Sequence, residues 1–165
     1  VNKVRAYARR KPSDREHLDA SAVVKQALEV FRASGRFSGR VLSELEGSLP
    51  IFADSMEIEL AVLNLLRNAA DALHADKTPR PEIRVTAKKT DGHCLIRISD
   101  NGSPLSEKEL RALGTPLQST KPSGLGLGLV LVRSIVENHG GKLLFEAGPG
   151  SGLSAVIKLP LEKTS

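Results

Sequence analysis

The 165-residue sequence predicts an α+β fold, a two-layer sandwich in which a sheet carries its helices on one face. Three observations predict it. Segments 83–88 and 94–99 alternate polar with apolar, often β-branched residues, the pattern of half-buried strands. Segment 55–75 instead places its apolar residues at helical spacing, and 127–139 is an apolar helical stretch that ends at Gly140-Gly141. Strands and helices follow one another in mixed order, and 165 residues with 40% apolar content suffice for one core.

Taken in order, VNKVRAYARRK (1–11) has helical character and stops at Pro12, so it reads as the tail of a helix from a larger protein. PSDREH (12–17) reads as a linker. Asp19 is an N-cap, after which Val24, Ala27, Leu28 and Phe31 share one helix face until Gly35 and Gly39 break the pattern. Two short apolar segments, 41–45 and 49–53, read as strands. Asp54 or Ser55 caps the long helix that ends near Ala75. After the loop DKTPRP, the two alternating strands are joined by TDGH as a hairpin, and Asp100-Asn101-Gly102 closes the second. A short helix fits at 106–113. TPLQSTKPSG then has the composition of a mobile loop, and strands at 142–146 and 155–159 complete the sheet.

Composition narrows the function classes. Cys94 is the single cysteine, which excludes a disulfide or a cysteine metal cluster within the chain and fits a reducing cytoplasm. No apolar run approaches the roughly 20 residues that span a bilayer, and the N-terminus is too charged for a signal peptide, so no membrane contact by this chain is expected. A net charge of +5 is compatible with nucleic acid, but Tyr7, Phe31, Phe37, Phe52 and Phe145 are scattered and not interleaved with basic residues. No base-stacking platform results, and nucleic acid is not an expected partner.

Three features carry chemistry. On the long helix, with Asn64 set at zero, Asn68 falls at about 40° and Asp71 at about −20°, opposite the core stripe. Solvated helix faces favour Lys, Glu, Arg and Gln, whereas mid-helix asparagines are poor helix formers. An Asn carbonyl is a neutral oxygen ligand suited to Mg²⁺, which takes the rest of its shell from water and phosphates. Asp100, at a strand end, is acceptor-only when ionised. It can take a hydrogen bond from an exocyclic amine such as adenine N6 while repelling guanine O6, although the same turn can simply end a strand. Third, SGLGLGLVLVRSIVENHGG (123–141) opens a helix with Gly124, Gly126 and Gly128. Position 129 is Leu, so G-x-G-x-x-G does not apply, and no P-loop pattern occurs. Glycines let backbone N–H groups approach phosphate closely, a helix N-terminus favours anions, and Lys121 adds a movable cation.

Together Asn64-Leu-Leu-Arg-Asn68-Ala, Asp100-Asn-Gly102, Gly124-Leu-Gly126-Leu-Gly128-Leu and Gly150-Ser-Gly152 resemble, in order and spacing, the N, G1, G2 and G3 boxes of sensor histidine kinases. Those kinases share the Bergerat ATP-binding fold, with a mixed, mostly antiparallel sheet, with gyrase, Hsp90 and MutL. The resemblance implies that 1–14 is the end of a dimerisation and phosphotransfer helix with its linker, and that 15–165 is the catalytic ATP-binding domain. It implies ATP and Mg²⁺ as ligands, with Asn68 on the metal, Asp100 on adenine, Gly124 to Gly128 on the phosphates and 113–122 as an ATP lid. Asn64, Asn68 and Lys121 become the catalytic set. Asp71, Gly102, Ser123, Leu125, Leu127, Leu129 and Ser154 complete the nucleotide contacts.

The implied partners are the chain's own upstream hairpin and, indirectly, a response regulator. The full-length protein would be a homodimer with this domain in the cytoplasm, whether or not the parent is membrane-anchored. The chain departs from the pattern in three places. Pro104 replaces a lid glycine, Pro116-Leu117-Gln118 stands where relatives carry paired phenylalanines, and Asp71 stands where many carry lysine. Where ATPases of this fold have a water-activating glutamate the chain has Asn64, which favours a kinase over an ATPase. None of His17, His74, His93 and His139 sits in an acceptor motif. A serine kinase or ATPase of the superfamily, and a non-catalytic ATP-gated interaction module, are the other readings.

Overall fold

Backbone polarity and alternation set the strands. In a computed structural model, which describes residues 14–113, 125–148 and 152–163, the elements run β1 (Glu16–Asp19), α1 (Ala20–Ala33), β2 (Arg40–Leu45), β3 (Pro50–Ala53), α2 (Ser55–Ala75), β4 (Glu82–Thr90), β5 (His93–Asp100), α3 (Glu107–Ala112), α4 (Leu125–Asn138), β6 (Lys142–Ala147) and β7 (Leu153–Pro160). The main sheet has the order β2-β4-β5-β7-β6. Its pairs are antiparallel except β2–β4, which run parallel with Val41 opposite Ile83. The α+β expectation holds.

One face of this sheet makes the core. Ile83, Val85 and Ala87 of β4, Cys94, Ile96 and Ile98 of β5, and Ala155, Ile157 and Leu159 of β7 alternate onto it and are buried. Helix α2 packs between α1 and α4 over that face. Its burial extends to Leu60 and Leu63, which widens the apolar stripe well beyond that of a surface helix. Asp54 caps α2 by accepting from the Met56 and Glu57 N–H groups at 3.0 and 3.2 Å. Asp19 caps α1, and its Oδ1 also accepts from Leu49 N–H at 3.0 Å, so one carboxylate ends a strand, starts a helix and holds the β2–β3 loop. Ser106 and Glu109 form a reciprocal capping box on α3. In the β4–β5 turn Asp91 and Gly92 both have positive φ, 48° and 76°, as a type I′ hairpin turn requires.

One expectation is corrected. Residues 16 and 17 are not linker but the start of β1, which pairs antiparallel with β3 in a separate two-stranded sheet, Glu16 opposite Ala53. The ring of His17 lies 5.2 Å from that of Phe52, and its Nδ1 contacts Glu162 Oε2 at 2.6 Å. Helix α4 begins at Leu125, two residues before the expected 127.

Candidate functional site

The C-terminal half of α2, the end of β5, the start of β7 and the 103–113 segment enclose a cavity of about 480 Å³. Asn68, Asp71, Ala72 and Asp76 form its α2 wall. Ile98, Leu153 and Ala155 supply an apolar sheet floor, and Leu105, Leu113, Leu129 and Phe145 close the far side. Such a wall suits a flat, poorly hydrated ring, with few polar groups to orient it.

Asp100, the last residue of β5, is only 8% exposed. Its Oδ1 accepts from Gly102 N–H at 2.9 Å and from Leu153 N–H at 3.4 Å, which leaves Oδ2 for a ligand donor. Burial pushes the Asp100 carboxyl above the ordinary carboxylate range, the two N–H donors pull it partly back, and the nearby Asp76 charge raises it again. Gly152 explains how β7 comes so close. At φ +80° it lies against Asp100, where a Cβ would collide with the Asp100 carbonyl and carboxylate.

At the other end stand Asn64 and Asn68 of the α2 polar stripe, both half-buried. A Cβ built on Gly128 of α4 would lie 3.5 Å from Asn64 Oδ1 and 3.8 Å from the Asn68 amide, so the glycine brings α4 close beside both asparagines. Asn64 Nδ2 donates to Leu60 O at 2.9 Å within its own helix, and Asn64 does not line the cavity. Asn68 does line it, and its Nδ2 is buried with no hydrogen-bond partner. An orphaned buried amide is costly unless a ligand completes it. Among the described residues no group of three His, Cys, Asp or Glu side chains could hold a metal unaided, so a cation beside Asn68 needs ligand oxygens such as phosphate.

The remaining expected residues divide clearly. Asp71 is exposed at the cavity wall, Gly102 is buried beside Asp100, and Leu129 lines the cavity. Leu125, Gly126 and Leu127 lie in the first turn of α4. Lys121, Ser123 and Gly124, with residues 114–122 of the expected lid, lie outside the described residues. Ser154 is a correction. Leu153 and Ala155 line the cavity, so strand alternation turns Ser154 to the opposite face of the sheet, where it is fully buried and its hydroxyl meets Ser99 Oγ at 2.6 Å. Sequence reasoning missed Asp76, Leu105 and Phe145. Phe145 had a weak signal as an aromatic on a short strand, and Asp76 had none beyond its place just after a helix.

The family described as histidine kinase-, DNA gyrase B-, and HSP90-like ATPase matches residues 53–163. Sporulation kinase B of Bacillus subtilis (strain 168) is 32% identical over 150 residues, covering 90% of this chain and 34% of that protein. Histidine protein kinase DivJ of Caulobacter vibrioides is 32% identical over 151 residues, 87% of this chain and 24% of its own length. The chain thus spans about a quarter to a third of these relatives. Among solved structures, the catalytic domain of histidine kinase ThkA superposes with a TM-score of 0.77 at 23% identity, covering 89% of this chain and 95% of that one. The mycobacterial sensor histidine kinase MprB gives 0.71 at 28% identity, covering 91% and 99%. With the family match spanning most of the fold and the whole cavity wall of α2, β5 and β7, the chain belongs to the histidine kinase-, DNA gyrase B- and HSP90-like ATPase family.

Proposed function

We propose that this chain is the ATP-binding catalytic domain of a sensor histidine kinase, passing the γ-phosphoryl group of ATP to a histidine on a helical hairpin outside residues 1–165. The observation that carries the reading is one cavity with Asp100 at one end and the unpartnered Asn68 amide at the other. Asp100 Oδ2 accepts the adenine amine. The apolar floor and far wall take the base. Asn68 faces the phosphate end, where its unpartnered Nδ2 suits a phosphate oxygen and its Oδ1 would hold Mg²⁺, which when bound neutralises charge on the phosphate oxygens.

What favours phosphoryl transfer over hydrolysis is Asn64. It stands one turn before Asn68, and its amide is tied to Leu60 O, so it offers no base to activate water. Imidazole nitrogen is a stronger nucleophile than water and needs less activation, so ATP bound here waits for a docked histidine. By the same reading Lys121 and the Gly124 segment contact the phosphates, a response regulator receives the phosphoryl group downstream, and the parent protein works as a dimer. No helix among the described residues is long and apolar enough to cross a membrane.

The test is incubation with γ-labelled ATP, with and without the parent's helical hairpin. Acid-labile label on the hairpin alone is expected. Rapid phosphate release by the chain alone supports the ATPase reading, and acid-stable label on the partner supports a serine kinase.

A further inference from the structure

The Asp100 turn does not stand alone. The stretch from the C-cap of α2 to the first residue of β4 is bonded to it at four points: Ser103 N–H donates to Asp76 Oδ2 at 3.1 Å, Asn101 Nδ2 to Arg80 O at 3.0 Å, Glu82 N–H to Asn101 Oδ1 at 2.8 Å, and Asn101 N–H to Glu82 O at 3.3 Å. Within that segment Lys77 and Arg80 hold left-handed φ values of 51° and 52°. Non-glycine residues keep such a backbone only when surrounding contacts over-determine it. Gly102 is caught between two carboxylates. A Cβ there would be 3.1 Å from Asp100 Oδ1 and 3.1 Å from Asp76 Oδ2. Asp76 also lines the cavity, and its charge is one of the influences that raise the Asp100 carboxyl.

We propose that Asp76 is a positioning residue for nucleobase selection: by holding Ser103 N–H it fixes the Gly102–Ser103 peptide, and across Gly102 steadies the adjoining Asn101–Gly102 peptide whose N–H orients the Asp100 carboxylate, with Asn101 as a second tie. The proposal rests on the nucleotide reading above. With Gly102 N–H fixed on Oδ1, Oδ2 keeps one direction and accepts from an exocyclic amine. When the ties are cut the carboxylate turns more freely. An amine at that position then loses a directed acceptor, whereas a carbonyl loses nothing it had.

The experiment is titration calorimetry of the 165-residue chain with Mg²⁺-ATP and Mg²⁺-GTP, for the wild type, Asp76→Ala, Asp76→Asn, Asn101→Ala and Asp100→Asn. The wild type is expected to prefer ATP. Asp76→Ala should reduce the ATP-to-GTP affinity ratio about ten-fold by weakening ATP, the scale of one hydrogen bond to a charged group. Asp76→Asn should keep the ratio within about three-fold, because its amide oxygen still accepts from Ser103 N–H. Asn101→Ala should shift the ratio in the same direction as Asp76→Ala.

A ratio unchanged in Asp76→Ala but collapsed in Asp100→Asn overturns the Asp76 role and leaves the nucleotide reading standing. Equal weakening of both nucleotides also overturns it, since a purely structural residue does not choose between bases. A wild type without preference, unaffected by Asp100→Asn, removes the nucleobase reading and this proposal with it. Should Asp76→Ala fail to fold by circular dichroism, Asn101→Ala decides on the same ratio.

Discussion

His139 Nε2 accepts the backbone N–H of Asp54 at 3.1 Å, while His139 Nδ1 donates to Ile135 O at 2.7 Å. The ring therefore works as a neutral imidazole that joins the end of α4 to the cap of α2. Burial lowers its proton affinity below the usual histidine value, the Ile135 carbonyl raises it, the nearby Arg15 charge lowers it, and Asp54 raises it. A folded-state pKa below the unfolded value of 6.5 means that stability is fully present above pH 6.5 and is lost as pH falls from there toward the folded value. Urea unfolding between pH 7.5 and 5 should show this loss. His139→Ala should cost about 1–3 kcal/mol at pH 7.5, by leaving the Asp54 N–H without that acceptor, and should flatten the acid slope.

Asp100 predicts the opposite sign. Its carboxyl is held above the ordinary range, so near neutral pH the folded chain carries an unfavourable buried charge, and that penalty is relieved only as acid protonates the group. Asp100→Asn removes the charge and still accepts from Gly102 N–H. Without nucleotide, its melting temperature at pH 7.5 should rise by about 2 °C, the size of a fraction of a kcal/mol in a domain of this length. Its ATP affinity should fall by an order of magnitude or more. A variant that melts lower than the wild type would show that the carboxylate stabilises the site.

Gly128→Ala separates fold from site in a single residue. The new methyl would sit 3.5 Å from Asn64 Oδ1 and 3.8 Å from Asn68, ordinary contact distances, and alanine is favoured over glycine inside a helix by about 1 kcal/mol. The variant should melt at or above the wild-type temperature. It should also bind Mg²⁺-ATP more weakly, because the methyl occupies the approach to Asn68. Calorimetry beside a thermal melt reads both effects.

Gly152→Ala should fail in the other direction. Its φ of +80° is strained for alanine, and the methyl would collide with the Asp100 carbonyl and carboxylate. A loss of more than about 2 kcal/mol is expected by denaturant titration, together with loss of nucleotide binding.

The sequence made some of this legible and hid the rest for physical reasons. Asp19 and Asp54 are caps where local hydrogen-bonding logic places them, and a short helix follows Ser106 within the expected 106–113. The β4–β5 hairpin is written in its alternation and its Asp91-Gly92 turn. These are short-range signals. Strand β1 was hidden because EHLD is polar and half of it is charged, and it becomes a strand only by pairing with β3, more than thirty residues away. Asp100, Asn68 and Leu129 could be assigned to one site because motif order stood in for three-dimensional closeness. The same shortcut misled at Ser154, where strand parity and the facing Ser99 decide the outcome. Asp76 and Phe145 reach the cavity only through packing between distant elements, which leaves no local trace.

The single parallel pairing in the sheet dictates an order of assembly. Strands β4 and β5 are neighbours in the chain and can zip within microseconds, as hairpins do. Strand β2 cannot follow at once. Its partner β4 runs in the same direction and is separated from it by β3 and all of α2, so the intervening chain must be laid down before the edge can close. Edge strand β2 is therefore expected to dock late, on the native side of the rate-limiting barrier. Val41→Ala should accelerate unfolding in a stopped-flow chevron while leaving the refolding limb almost unmoved, whereas Ile96→Val in the early hairpin should slow refolding.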